Sequence, residues 1–350
     1  MTLAYGVLRG GGVCARMNGR VVDLRGVDPV FDAPSLNALM AGGPELWRRA
    51  RERVELGAEL NDPELGLPIE VADYVDFYSS LHHAVNLGRM FRPDAEPLLP
   101  NWRHLPVGYH GRAGTVVPSG TSVQRPRGQR PEPEFGPSQR LDIELEAGFV
   151  LGTPSTIGEP VPIERALEHV FGMVLVNDWS ARDIQAWEYQ PLGPFLGKSF
   201  ATSVSHWVVP LEELADRRVP REPQEPAPLP YLAEDPWAYD IPLTVELNGC
   251  VIARSNTRHL YWSIAQQIAH LTVNGASLRT GDLLATGTIS GPEPEERGSL
   301  IELSWNGQEP IELPDGSTRT FLEDGDEVVL RGEPLGEVRG QIEPPAGRNS

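Results

Sequence analysis

Lysine is all but missing from this chain: one, at position 198, stands against 29 arginines. Positive charge as a whole is short, with 30 Lys and Arg against 49 Asp and Glu and a formal net charge of −19. That balance excludes the polyanionic partners, nucleic acid and anionic membrane. Cysteine is scarce too. Cys14 and Cys250 lie far apart without the spacing of a thiolate metal site, and they read as free thiols in a reducing cytoplasm. No apolar run reaches the roughly 18 residues a membrane helix needs. The opening Met1-Thr2-Leu3-Ala4-Tyr5-Gly6 carries neither the basic nor the apolar region of a signal peptide, so a cytoplasmic setting is expected.

What is present suits an α+β, β-rich globular protein. Hydrophobic residues make up 40% and charged residues 23%, while 36 Gly and 34 Pro favour many turns. Over 350 residues there is room for one large domain or two unequal ones. Residues 3–8 and 20–24 read as strands around Gly10-Gly11-Gly12. The pattern predicts a helix over 35–56, with Ser35 as N-cap and Leu36, Leu39, Met40 and Leu46 on one face. This portion carries no cluster of chemistry and ends near Pro63–Pro68. Further helices are expected after Ser79 or Ser80, from Pro162 to Phe171, after a Ser180/Asp183 capping box, and over 259–273. Strands are expected over 172–177, 241–247, 299–305 and 327–330, and Asn248-Gly249 reads as a hairpin turn. Eight prolines between Pro210 and Pro242 suggest an irregular surface excursion.

The stretch with chemical content is Leu141-Asp142-Ile143-Glu144-Leu145-Glu146-Ala147. Its period of two is that of a strand, and it sets Asp142, Glu144 and Glu146 on one face. Taken alone, that is a solvated strand face. Other isolated acids stand in similar settings, Asp76 in a strand and Asp178 where a strand gives way to a helix. A hard divalent cation with oxygen ligands is the economical explanation for all of them. Arg182, Gln185 and Tyr189 fall at i, i+3 and i+7, one helical face. The loop Pro191–Phe200 presents the lone lysine.

With these pieces assembled, the chain resembles the fumarylacetoacetate hydrolase family. The resemblance rests on Asp76-Phe77-Tyr78-Ser79-Ser80, Pro100-Asn101-Trp102 through Gly108-Tyr109-His110-Gly111-Arg112, and the Glu144-Leu145-Glu146 strand. It continues with Asn177-Asp178-Trp179-Ser180-Ala181-Arg182-Asp183-Ile184-Gln185, Pro191 to Phe200, and Gly287-Thr288-Ile289-Ser290-Gly291-Pro292-Glu293-Pro294-Glu295. It runs from near Tyr5 to about Val338, and the tail after Gly332 departs from the family's Gly-Phe-Gly pattern. The resemblance implies a small SH3-like N-terminal domain over 1–68. It also implies a larger mixed β-roll catalytic domain over 69–350 that forms a homodimer. Asp76, Glu144, Glu146 and Asp178 become the carboxylates of a Ca²⁺ site, with Mg²⁺ nearby sharing Asp178 and involving Lys198 and Thr202. His83 becomes the general base, oriented by Glu302. Arg182, Gln185 and Lys198 become oxyanion stabilisers, and Tyr78, Arg92, Tyr109, Gln185, Tyr189 and Thr288 substrate contacts. Asp142 receives no role and is expected to be the solvated acid of its strand.

The implied activity is hydrolysis of a carbon–carbon bond in a β-diketo acid, the step that ends tyrosine and phenylalanine breakdown. The residue types suit it. Imidazole can take the proton of an attacking water, and a carboxylate on its other nitrogen fixes the tautomer. Positive donors meet the oxyanion, and Arg92 can pair with a substrate carboxylate through its fork. A lone lysine among arginines points to a pocket that needs a compact ammonium, able to give up its proton if a nearby cation lowers its pKa. Two rivals stand beside this reading. An acylpyruvate hydrolase, or an isomerase or decarboxylase of small oxo-diacids, would share the metal acids. A non-catalytic binding protein stiffened by metal would not need His83 and Glu302 together.

Overall fold

The computed structural model describes residues 2–131 and 134–347. Two long antiparallel strands, Leu145–Leu151 and Val170–Asp178, form its centre, and every residue of both is buried. Such strands read as near-continuous apolar runs because neither face meets water, which makes Glu146 and Asp178 conspicuous. On one side of the pair, Leu283–Ala285, Tyr74–Phe77 and Gly108–His110 add in turn; on the other, Thr202–Val204 and then Val116–Pro118. The register places Asp178 opposite Thr202 and Ala285 opposite Asp76, so the acids gather at one end of this mixed sheet.

A second, five-stranded sheet runs in the order Cys250–Asn256, Pro242–Leu247, Glu327–Gly332, Gly336–Glu343 and Val123–Gln124. Its first hairpin turns at Asn248 and Gly249 with φ of 51° and 78°, the left-handed pair that Asn-Gly supplies. The tail after Gly332 is ordered as the Gly336–Glu343 strand, with Val338 opposite Leu330 and Gly340 packed on the Trp179 ring. Near the N-terminus, Ala4–Val7, Val13–Met17, Arg20–Asp23 and Ala58–Leu60 form a four-stranded antiparallel sheet. Tyr5 pairs with Val208 and packs near Phe171, which joins that sheet's core to the central one.

Several local expectations are corrected. The helix over 35–56 is broken into α1 (Asn37–Ala41), α2 (Gly43–Arg53) and a final 3-10 turn. Gly42-Gly43-Pro44 interrupts it, since Gly43 takes φ of 72° and Pro44 donates no N–H. Leu36, Leu39 and Met40 are buried as expected; the N-cap position of α1 falls on Leu36, and Ser35 just before it accepts the Asn37 N–H through its hydroxyl at 3.4 Å. Ser80 does cap α3 (Leu81–Phe91), accepting the His83 N–H. The Pro162 segment is a 3-10 helix, Ile163–His169, and Phe171 belongs to the strand that follows. No Ser180/Asp183 capping box forms at α4 (Arg182–Glu188); Asp183 accepts from Ser138 Oγ and the Gln139 N–H instead. Ser263 and Gln266 form a genuine one at α5 (Ile264–Thr272). The proline-rich excursion is partly regular, with a 3-10 helix at Leu211–Arg217 and Arg218–Pro220 paired to Trp237–Tyr239. The strand expected over 299–305 is a short helix, α6 (Leu300–Leu303). Its first amides need acceptors, and the Asp142 carboxylate supplies them.

Candidate active site

The acidic run around which the sequence reading turned is two strands. Leu141–Asp142 pairs with Ser180–Ala181, the chain breaks register at Ile143 and Glu144, and Leu145–Leu151 begins anew. That break separates the three acids. Glu144 and Glu146 meet Asp76 and Asp178, and carboxylate oxygens of these four lie within 4.8 Å of one another, all buried. Asp142 points elsewhere and is not solvated; at 0% exposure it binds Arg182 Nε at 2.8 Å.

Four carboxylates so close raise one another's proton affinity. Burial, with repulsion from the neighbouring acids, pushes Asp76 and Glu146 well above the usual carboxylate range, and Asp178 is raised more weakly because Lys198 opposes the shift. Glu144 goes the other way. Burial works against its charge, but Lys198, Arg182 and His83 outweigh burial and hold it well below its ordinary value. Asp76 Oδ1 and Glu146 Oε1 are buried with no hydrogen-bond partner, while Glu146 Oε2 accepts the Gly287 N–H at 3.0 Å. Gly287 sits at φ of 75° against the Phe77 carbonyl, where a Cβ would clash. Unpartnered buried oxygens on converging acids fit a hard cation, and Asp76, Glu144, Glu146 and Asp178 would hold it.

Lys198 is buried between two of these acids, donating to Glu144 Oε2 and, at 2.9 Å, to Asp178 Oδ2. Thr202 donates to Asp178 Oδ1 at 2.7 Å. Although burial disfavours the ammonium, Asp178 and Glu144 raise its pKa, and these partners keep the lysine charged. Arg182 binds Asp142 through Nε and Glu144 Oε1 through Nη1 at 2.8 Å, and Nη1 lies 3.3 Å from Gln185 Oε1.

Across the cavity, His83 Nδ1 meets Glu302 Oε2 at 2.7 Å, both side chains being buried. Asn86 Nδ2, Ser290 Oγ and Ser299 Oγ also donate to Glu302, at 2.9, 3.0 and 2.7 Å. Burial opposes its ionisation, but His83, with Asn86 and Ser299, brings its pKa down to about 2. The sequence reading missed this ring of donors. The His83 and Asn86 spacing of i, i+3 on α3 was the available signal.

These groups surround a cavity of about 740 Å³. His83, Asp76, Glu144, Arg182 and Lys198 line it, as do all the expected substrate contacts: Tyr78, Arg92, Tyr109, Gln185, Tyr189 and Thr288. Glu146, Asp178, Thr202 and Glu302 stand behind that lining. Arg92 Nη2 donates to the Pro97 carbonyl at 2.6 Å, and its buried Nε and the Thr288 hydroxyl have no protein partner. Arg140 and an apolar wall of Leu87, Phe91 and Trp102, unforeseen from sequence, complete the cavity. His110, in the family-like loop before Arg112, has a side chain 70% exposed beside Asp73 and does not line the cavity.

A curled mixed sheet with a carboxylate cluster and a histidine–glutamate pair on one cavity defines a class of hydrolytic site, and comparison with known proteins agrees. The family described as fumarylacetoacetate (FAA) hydrolase C-terminal matches residues 74–343. A fumarylacetoacetase from Rattus norvegicus is 51% identical over 339 residues, 88% of this chain and 81% of the rat protein. One from Arabidopsis thaliana is 49% identical over 333 residues, 86% of this chain and 79% of the plant protein. Among solved structures, a fumarylacetoacetate hydrolase from Exiguobacterium antarcticum superposes with a TM-score of 0.64 at 18% identity, covering 98% of this chain and 100% of that one. The chain belongs to the fumarylacetoacetate hydrolase family, and is a hydrolase of that family.

Proposed function

We propose that this chain hydrolyses 4-fumarylacetoacetate to fumarate and acetoacetate, the closing step of tyrosine and phenylalanine breakdown. The observation that carries the reading is one cavity walled on one side by a paired base, His83–Glu302, and on another by a four-carboxylate cluster. Relatives at about half identity bear the name of this activity.

His83 takes the proton of a water that attacks the fumaryl carbonyl, and Glu302 holds its tautomer and favours the imidazolium. The oxyanion that forms meets Arg182, Lys198 and Gln185. Collapse breaks the bond to the central methylene, which leaves as the acetoacetate enolate and regains a proton; the water's hydroxyl stays on fumarate. Arg92 and Thr288 offer unpartnered donors to a substrate carboxylate, while Tyr78, Tyr109 and Tyr189 shape the cavity. A bound divalent cation would polarise the diketone oxygens as a Lewis acid. We assign Ca²⁺ to Asp76, Glu144, Glu146 and Asp178, and Mg²⁺ to the neighbourhood of Asp178, Lys198 and Thr202. A maleylpyruvate hydrolase of the same fold, from Sphingobium sp. SYK-6, has been solved with manganese(II) and pyruvate, which favours a metal in this fold. Within the same proposal, the protein is a cytoplasmic homodimer whose 1–68 segment forms an SH3-like domain ahead of the catalytic domain over 69–350.

Loss of diketone absorbance on adding purified protein to fumarylacetoacetate tests the reading. Turnover of acylpyruvates with none of fumarylacetoacetate would move the chain to the acylpyruvate branch. Binding without turnover of either would leave a binding protein.

A further inference from the structure

Asp142 is a fully buried carboxylate that the mechanism above does not use. Its Oδ1 accepts the N–H of Leu300 at 2.7 Å and of Ile143 at 2.8 Å; its Oδ2 accepts the N–H of Ile301 at 3.1 Å and Arg182 Nε at 2.8 Å. Three of the four donors are backbone amides from two separate segments. Main chain therefore fixes the carboxylate, and the carboxylate in turn fixes the guanidinium.

A guanidinium is a planar fork, so holding two of its nitrogens sets the third. Asp142 holds Nε and Glu144 holds Nη1. Nη2 is left buried and without a partner among the described residues, on a side chain that lines the cavity. Without Asp142 the fork could rotate to give Glu144 both terminal nitrogens, the bidentate pairing arginine prefers. Nη2 would then be turned to Glu144 and away from substrate.

We propose that Asp142 is a positioning residue, which keeps Nη2 of Arg182 free as the donor to the oxyanion. The inference rests on the role given to Arg182 above. In Asp142→Asn, whichever way the amide turns, its NH2 group faces donors. The expected result is a fall in kcat of about 10- to 100-fold, the usual size of effects transmitted through an outer hydrogen bond. KM should stay within about threefold, and bound metal should be unchanged. A role confined to packing α6 predicts something else: its loss would multiply with that of any other variant.

The decisive comparison is a double-mutant cycle of Asp142→Asn with Arg182→Met. If Asp142 acts through Arg182, adding Asp142→Asn to Arg182→Met costs less than about threefold further activity. Losses that multiply overturn the proposal. Full activity in Arg182→Met alone would instead refute the oxyanion role of Arg182, a separate failure. If Asp142→Asn does not fold, Arg182→Ala is titrated with guanidinium and with methylammonium. An anchored fork predicts rescue by guanidinium at least tenfold better; equal rescue would show that charge alone suffices and overturn the proposal.

Discussion

At the scale of single residues, Lys198 carries the sharpest expectation. In a chain with 29 arginines, position 198 keeps the one lysine, and the fold buries it against Glu144 and Asp178. A guanidinium is larger and planar, and it would spread its charge over a fork where the two acids hold a compact ammonium. Lys198→Arg should therefore lower kcat by roughly two orders of magnitude, nearly as much as Lys198→Met. Steady-state kinetics on the two variants decides; recovery of most activity by the arginine would show that only positive charge is needed. Glu302 gives a pH expectation. Its pKa lies at about 2 against an ordinary 4.5, so its contribution to stability is complete above 4.5 and is lost as pH falls through 2. Glu302→Gln should flatten the acid limb of a melting-temperature profile in that window, and an unchanged limb would mean the carboxylate is not held as described.

At the scale of elements, the sequence showed the Asn-Gly hairpin, a serine cap at 79 or 80 on α3, which the fold assigns to Ser80, and the common face of Arg182, Gln185 and Tyr189, because each is set by local chemistry. It misled where tertiary partners decide. The acids of 141–147 alternate perfectly, yet a register break at Ile143 and Glu144 turns Asp142 toward α6, and no local pattern marks that break. The same long-range contact makes a helix of 300–303, where alternation suggested a strand. The four metal-binding candidates were legible through family motifs, whereas the donors around Glu302 come from three segments and were not. Gly287 tests this scale. Its left-handed φ and its N–H to Glu146 join one loop to the acid cluster, so Gly287→Ala should cost at least about 1–3 kcal/mol in backbone strain alone and weaken metal retention. Thermal unfolding with elemental analysis measures both, and a variant matching the parent in each would count against that junction.

At the scale of the whole molecule, the central mixed sheet, α3, α4, α6 and the loops between them contribute residues to one cavity. No helix is long and apolar enough to cross a membrane among the described residues. The acids at the sheet end are uncomfortable without a counter-charge, since burial and mutual repulsion raise three of them. Metal removal should lower the melting temperature, and Glu146→Gln should lose bound cation and activity together. In the proposed mechanism one cavity joins a cation held by four carboxylates to a His83–Glu302 base. Its most direct test is fumarylacetoacetate turnover, followed by loss of diketone absorbance, in the parent and in His83→Asn, each chelated and then resupplied with Ca²⁺ or Mg²⁺. Turnover in the parent should vanish on chelation and return with the ion, while His83→Asn should bind the ion normally and stay inactive throughout. Turnover that survives chelation, or that persists in His83→Asn, would contradict it.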